Sequence, residues 1–191
     1  MVLASLPNII TFGRLLAVPL AVLLILDHEL DWAFWLFVAA GVSDALDGAL
    51  ARLLRARSAL GAYLDPLADK ALLVTVYIAL GHEGYLPKWL VILVVFRDVM
   101  IVGAVLLLYT LKESLAMQPL WISKFNTLAQ IALAALVLAV HGIGFPNPTV
   151  FGVTLTQGAV WFIAATTVIS GAAYLRRGNL LFNPYSGGPQ R

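Results

Sequence analysis

The chain has 191 residues, 61% of them hydrophobic and only 12% charged, with a formal net charge of +2 and a mean hydropathy of +0.93. A soluble domain carries about 25% charged residues, so the composition excludes an ordinary water-soluble globule and puts the chain in a bilayer. With no cysteine present, a disulfide framework, a thiolate nucleophile and a soft-metal site are excluded as well.

One domain over residues 1–191 is expected, because no polar, Pro-rich or Ser-rich linker divides the chain and no internal repeat is visible. The N-terminus does not have the form of a signal peptide. Its apolar run from Ile9 is interrupted by Arg14 and no basic region precedes it, so Met1 is expected to be the true start.

A span across hydrocarbon needs about 20 mostly apolar residues. Six stretches qualify, approximately 8–26, 32–53, 61–81, 88–110, 122–141 and 150–175, which predicts an all-α polytopic membrane protein with six transmembrane helices in one bundle. Pro7, Pro87, Pro119 and Pro148 suit helix entries. The runs Gly81-His82-Glu83-Gly84 and His141-Gly142-Ile143-Gly144 are turn-forming links.

In the first segment Asn8, Thr11 and Arg14 recur at spacings of three and share one face. By themselves they read equally as a helix cap with a snorkelling arginine or as ligand contacts. The second and third segments carry the densest polar feature of the chain. Four of the ten acidic residues, Asp44, Asp47, Asp65 and Asp69, fall within 26 positions. At 3.6 residues per turn Asp44, Asp47, Gly48 and Ala51 share one helical face, and Gly61, Asp65 and Asp69 share one on the next helix. The short basic link 53–58 would then bring four carboxylates together.

Such a cluster in apolar surroundings is untenable unless cations neutralise it. All-oxygen ligation favours a hard divalent ion, Mg2+ first and Mn2+ second. The residues alone also allow another reading, an ion or proton pathway lined by acids, as intramembrane carboxylates often do. A transporter of that kind would be favoured by inverted repeats, and none is visible.

The fourth segment places Arg97-Asp98 deep in an apolar run, where an unpaired charge is costly. Adjacent helical residues do not face each other, so separate partners are expected for the two. Loss of Asp98 is expected to be milder for function than loss of any of the four clustered acids. The fifth segment opens with Ser123-Lys124-Phe125-Asn126-Thr127, and a lysine near a helix N-terminus suits an anionic head group. A basic loop residue that merely satisfies the topological charge bias is the bland alternative. His28, His82 and His141 lie at the opposite ends of the segments, away from the carboxylates, and are assigned no chemistry. Trp32, Trp35, Trp89 and Trp161 cluster near that same boundary as an aromatic belt would.

Orientation follows from lysine and arginine in the links and tails. Arg52, Arg55, Arg57, Lys112, Lys124, Arg176, Arg177 and Arg191 belong to one set of ends, against Lys88 alone at the other. Both termini are therefore expected on the cytoplasmic side, with all four acids near that surface. Gly103, Gly158, Gly171 and many alanines permit close helix packing and a homodimer seam. Nucleic-acid binding has no support beyond basic residues that topology already explains.

The spacing Asp-x2-Asp-Gly-x2-Ala-Arg-x8-Gly-x3-Asp-x3-Asp over 44–69 resembles the signature of the CDP-alcohol phosphatidyltransferase family at every fixed position. The resemblance implies an integral membrane enzyme, in the bacterial or mitochondrial inner membrane, with its site near the cytoplasmic or matrix face. Such an enzyme moves a phosphatidyl or phosphoalcohol group from a CDP-alcohol to an acceptor hydroxyl and releases CMP. It implies two divalent ions, Mg2+ or Mn2+, held by Asp44, Asp47, Asp65 and Asp69, with Asp69 also the general base. Gly48, Ala51, Arg52, Ser58 and Gly61 would form the cytidine and diphosphate pocket. Asn8 and Thr11 join that pocket through a Pro-Asn-x-x-Thr-x-x-Arg opening similar to the family's.

Arg97 and Lys124 would hold the acceptor, and the family is often dimeric. The chain is most similar to the branch that uses CDP-diacylglycerol and makes cardiolipin or phosphatidylglycerophosphate. Members making the latter usually show Arg-Glu in the fourth segment and a second arginine eight residues on, where this chain has Asp98 and Val105. A small dianion such as glycerol 3-phosphate is best held by several cations, so phosphatidylglycerol is the expected acceptor and glycerol 3-phosphate the runner-up.

Overall fold

The computed structural model describes residues 6–54, 59–110 and 121–182, with side chains over 13–44, 70–103 and 121–174 and at Arg176. Within these residues the chain forms six helices: α1 (Leu6–Leu26), α2 (Leu30–Leu54), α3 (Ala59–His82), α4 (Lys88–Thr110), α5 (Trp121–Gly142) and α6 (Leu155–Phe182). The apolar runs predict five of them to within a few residues. The sixth begins at Leu155 rather than at 150, because 149–154 folds into a small antiparallel hairpin, β1 (Thr149–Val150) and β2 (Val153–Thr154). Its two-residue turn has Phe151 at φ 51° and Gly152 at φ 79°, the left-handed pair that a tight hairpin requires. Asn147 then ties the hairpin to α6: its Oδ1 accepts from the Thr156 N–H at 3.1 Å and its Nδ2 donates to Thr156 Oγ1 at 3.0 Å.

α1 packs against α2 and α3, α2 against α5, α5 against α6, and α4 against α6 and α3. Inside lie Ile25, Phe37, Val76, Tyr77, Leu80, Leu90, Leu133, Val137 and Ile163. Large apolar side chains also cover the outside, among them Leu16, Ile92, Phe96, Val99, Leu128 and Trp161. An outer face that apolar is what a hydrocarbon solvent selects. Among the described residues two helices, α5 and the Leu155–Tyr174 part of α6, are long and apolar enough to cross a membrane.

The ends opposite the signature acids are tied together by polar and aromatic side chains. His28, at φ 60° in the α1–α2 turn, places Nδ1 3.2 Å from the Tyr85 hydroxyl and Nε2 3.6 Å from Glu83. Tyr85 lies against the ring of His141 at 4.9 Å. The three links that the sequence puts on one side therefore do meet.

A tight contact fixes α5 against α2 at this end. A Cβ on Gly142 would fall 2.5 Å from the Leu30 carbonyl carbon and oxygen and 2.6 Å from the Asp31 nitrogen. These are backbone atoms and cannot step aside singly. Gly142→Ala is expected to lower the unfolding temperature of the purified protein by the equivalent of about 1–3 kcal/mol of overpacking. Gly158→Ala, whose Cβ would meet nothing within 4 Å, should melt like the parent, and equal melting of the two variants would disprove the contact.

Candidate active site

Asp44 lies three fifths of the way along α2, with its side chain 44% exposed, and its Oδ1 accepts from Arg14 Nη2 at 2.8 Å. Arg14 itself is buried. The first of the clustered acids is thus held by the arginine that shares a face with Asn8 and Thr11. The spacing of those three is the signal that links α1 to the site.

Asp47, Gly48, Ala51 and Arg52 follow on the last turns of α2, while Gly61, Asp65 and Asp69 sit on the first turns of α3. Asn8 and Thr11 are in the first turns of α1. The side chains of all these residues, and Ser58 altogether, lie outside the described residues. Among the described residues no group of three potential metal-ligating side chains comes together, Asp44 being the one signature acid whose side chain is described. What the backbone provides is the placement: the acid-bearing parts of two helices that both pack on α1.

Beside Asp44 opens a cavity of about 630 Å3, within the roughly 300–1,000 Å3 usual for small-molecule sites. Its lining includes the polar Arg14, Asp44, Lys70 and Thr127 and the apolar Phe37, Val38, Leu72, Leu73, Leu128 and Ile131. The lining combines a few polar side chains with a larger set of apolar ones, which suits an amphiphile.

Arg97 and Asp98 are both buried, and the expectation of separate partners needs correction. Arg97 Nη1 donates to Asp98 Oδ1 at 2.7 Å. The long guanidinium arm folds back to its neighbour because hydrocarbon offers no competing water. Each also reaches another helix. Arg97 Nη2 donates to Ser123 Oγ at 2.7 Å and Ser170 Oγ at 2.6 Å, while Asp98 Oδ2 accepts from Lys70 Nζ at 2.5 Å. One polar network therefore joins α3, α4, α5 and α6.

Lys124 points the other way. It is exposed on the first turn of α5, with Nζ 5.7 Å from the Trp121 ring centre. The two cations expected to hold the acceptor therefore face different surroundings, Arg97 the bundle interior and Lys124 the outside.

Sequence reasoning gave no role to Lys70, Ser170 or Asn126. Lys70 had a legible signal, a cation inside an apolar helix directly after the last acid. Asn126 is fully buried and its Oδ1 accepts from Thr166 and Thr167 of α6 at 2.7 and 3.2 Å. That hydrogen bonding gives it a packing role within the Ser123–Thr127 element.

Known proteins resemble the chain through most of its length. CDP-diacylglycerol-glycerol-3-phosphate 3-phosphatidyltransferase 1 of rice chloroplasts is 35% identical over 193 residues, which covers 89% of this chain and 56% of the relative. Human cardiolipin synthase (CMP-forming) is 31% identical over 191 residues, 91% of this chain and 62% of the relative. The CDP-diacylglycerol-glycerol-3-phosphate 3-phosphatidyltransferase of Cereibacter sphaeroides is 38% identical over 178 residues, 88% of this chain and 76% of the relative. The chain thus spans little more than half the length of the rice relative and less than two thirds of the human one. Residues 4–170, which include the whole 44–69 spacing, match the CDP-alcohol phosphatidyltransferase family, and the chain belongs to that family.

Proposed function

We propose that the chain transfers the phosphatidyl group of CDP-diacylglycerol to a hydroxyl of phosphatidylglycerol, giving cardiolipin and CMP. The observation that carries this reading is the meeting of Asp44, the first acid of the signature, with an apolar-walled cavity. A lipid could enter there from the side while the nucleotide arrives from water. Human cardiolipin synthase supports this acceptor by its name. The rice and Cereibacter relatives are named for glycerol 3-phosphate, which keeps that acceptor as the second reading. Asp98 and Val105, in place of the usual Glu and Arg, favour the lipid.

Asp44, Asp47, Asp65 and Asp69 would hold two divalent cations, Mg2+ or Mn2+. The donor set fits them, being all carboxylate and without sulfur or imidazole. When bound, such ions neutralise the charge that develops on the diphosphate.

The remaining work falls to the chain. Arg52 offers a forked donor to the diphosphate oxygens. Gly48, Ala51 and Gly61 leave the backbone bare for close approach, with Ser58, Asn8 and Thr11 completing the CDP-alcohol pocket. Lys124 attracts the anionic acceptor at the membrane surface, and Arg97 supports the acceptor side from within. Asp69 takes the proton from the acceptor hydroxyl. The oxygen forms a bond to the phosphorus that carries the diacylglycerol, and the bond from that phosphorus to the CMP oxygen breaks.

The test is incubation of the purified protein with Mg2+, CDP-diacylglycerol and a panel of acceptors, with the lipid product identified by mass spectrometry. Cardiolipin from phosphatidylglycerol is the expected product. Phosphatidylglycerophosphate from glycerol 3-phosphate, with no cardiolipin, would put the second reading in its place.

The bundle is proposed to cross the membrane six times with both ends on the cytoplasmic or matrix side, by the eight basic residues against one in its links and tails. In intact cells Glu29→Cys should react with an impermeant thiol reagent and Arg57→Cys should not. The reverse pattern would move the active site to the other face. Close packing at small residues would allow a homodimer, which cross-linking in native membranes would detect as a doubled mass.

A further inference from the structure

Lys70 and Arg97 share a single carboxylate, that of Asp98, at 2.5 and 2.7 Å. Arg97 is otherwise bonded to the neutral hydroxyls of Ser123 and Ser170, and its buried Nε has no acceptor among the described residues. Among the described residues, two cations on one anion leave one positive charge in excess. The other cation on the cavity wall, Arg14, faces Asp44 and adds nothing to that excess.

Of the Lys70, Arg97 and Asp98 side chains, Lys70 is the one that reaches the cavity. Arg97 and Asp98 are buried at 3% and 5% exposure, whereas the Lys70 side chain is 34% exposed and stands on the wall of the 630 Å3 cavity. A surplus charge in apolar surroundings is costly until an anion meets it. The cavity thus asks for one negative charge at Lys70 and an extended apolar body along Phe37, Leu72, Leu128 and Ile131. Glycerol 3-phosphate would meet the charge and leave the apolar wall uncovered.

We propose that this cavity is an anionic-phospholipid site, in which one acyl chain lies along the apolar wall and the phosphodiester is held by Lys70. The proposal rests on the reading above that the acceptor is a lipid, and assigns the cavity to that acceptor rather than to the donor. The donor's diphosphate already has the signature acids and their cations for its charge, whereas the acceptor's phosphodiester has none of these. Lys70 directly follows Asp69, so a lipid held there keeps its head group close to the proposed proton acceptor. Asp98 acts through Lys70 and is a positioning residue.

The test is lipid retention by the purified full-length protein, read by native mass spectrometry without turnover. Dioleoyl and dihexanoyl phosphatidylglycerol, dioleoyl phosphatidylcholine, CDP-diacylglycerol and glycerol 3-phosphate serve as probes. Lys70→Gln should weaken retention of phosphatidylglycerol at least tenfold and leave CDP-diacylglycerol unchanged, and Lys70→Arg should restore it. Gly41 lines the cavity, and a Cβ there meets nothing within 4 Å. Gly41→Leu should therefore fold normally and weaken the dioleoyl lipid but not the dihexanoyl one. Phosphatidylcholine should bind no better to the wild type than phosphatidylglycerol does to Lys70→Gln.

Undiminished phosphatidylglycerol retention in Lys70→Gln would overturn the proposal. So would a loss confined to CDP-diacylglycerol, which would make the cavity the donor's, or one confined to glycerol 3-phosphate, which would make it a free-phosphate site. Retention through Lys70 by a protein that makes no cardiolipin would support the site and overturn the acceptor reading instead.

Discussion

Asp44→Ala is expected to reduce CMP release from CDP-diacylglycerol at least about a thousandfold, equivalent to roughly 4 kcal/mol of lost transition-state stabilisation. The side chain faces the cavity from α2 and belongs to the carboxylate set proposed to hold the cations that would neutralise the diphosphate. No other acid among the described residues lines that cavity. The same substitution also takes the carboxylate away from buried Arg14. Asp44→Asn therefore belongs beside it, since an amide keeps the hydrogen-bond acceptor and loses only the charge. Both variants should fail in the rate assay with saturating Mg2+, while Asn should melt closer to the parent than Ala. Asp47→Ala, Asp65→Ala and Asp69→Ala are expected to match the loss of rate. Wild-type CMP release by Asp44→Ala would remove the acid cluster from the chemistry.

The helices were legible because long apolar runs broken by Gly, Pro and charge mark where helices begin and end without any knowledge of packing. The start of the sixth was misplaced because Val150, Phe151 and Val153 are as apolar as a helix entry, and the left-handed turn at Phe151-Gly152 leaves little trace in hydropathy. The placement of the signature acids late in α2 and early in α3 was legible through their spacing, which follows helix geometry without any knowledge of packing. The Lys70–Asp98–Arg97 network could not be read in that way. Its bonded pairs are 28 residues apart or adjacent, and which cation faces which anion depends on how α3 and α4 rotate against each other. The rule that neighbours on a helix do not face each other holds for short side chains, and arginine is long enough to escape it. The meeting of His28, Tyr85 and His141 followed from topology alone, since all three close the same end of the bundle.

Asp98→Ala is expected to be among the most destabilising single changes in the bundle, although the sequence alone makes it milder for function than loss of a signature acid. Removing one partner of a buried ion pair costs about 3–5 kcal/mol, because the other charge remains where water cannot reach it. Here the charge left behind is Arg97, 3% exposed and bonded otherwise to two serine hydroxyls, which can solvate but not neutralise it. Lys70 suffers less, since its partly exposed side chain can turn into the cavity. The order of melting in detergent should therefore be wild type, then Arg97→Met with Asp98→Leu together, then Asp98→Ala alone. The double variant removes both buried charges and restores apolar packing, a replacement that is often neutral in protein interiors. Below its melting temperature Asp98→Ala should still release CMP, because no signature acid is touched, but with a raised KM for phosphatidylglycerol as Lys70 loses its anchor. If Asp98→Ala melts with the parent, the shared carboxylate is not what holds α3 to α4; if the double variant melts below it, packing rather than unpaired charge governs this level of the bundle.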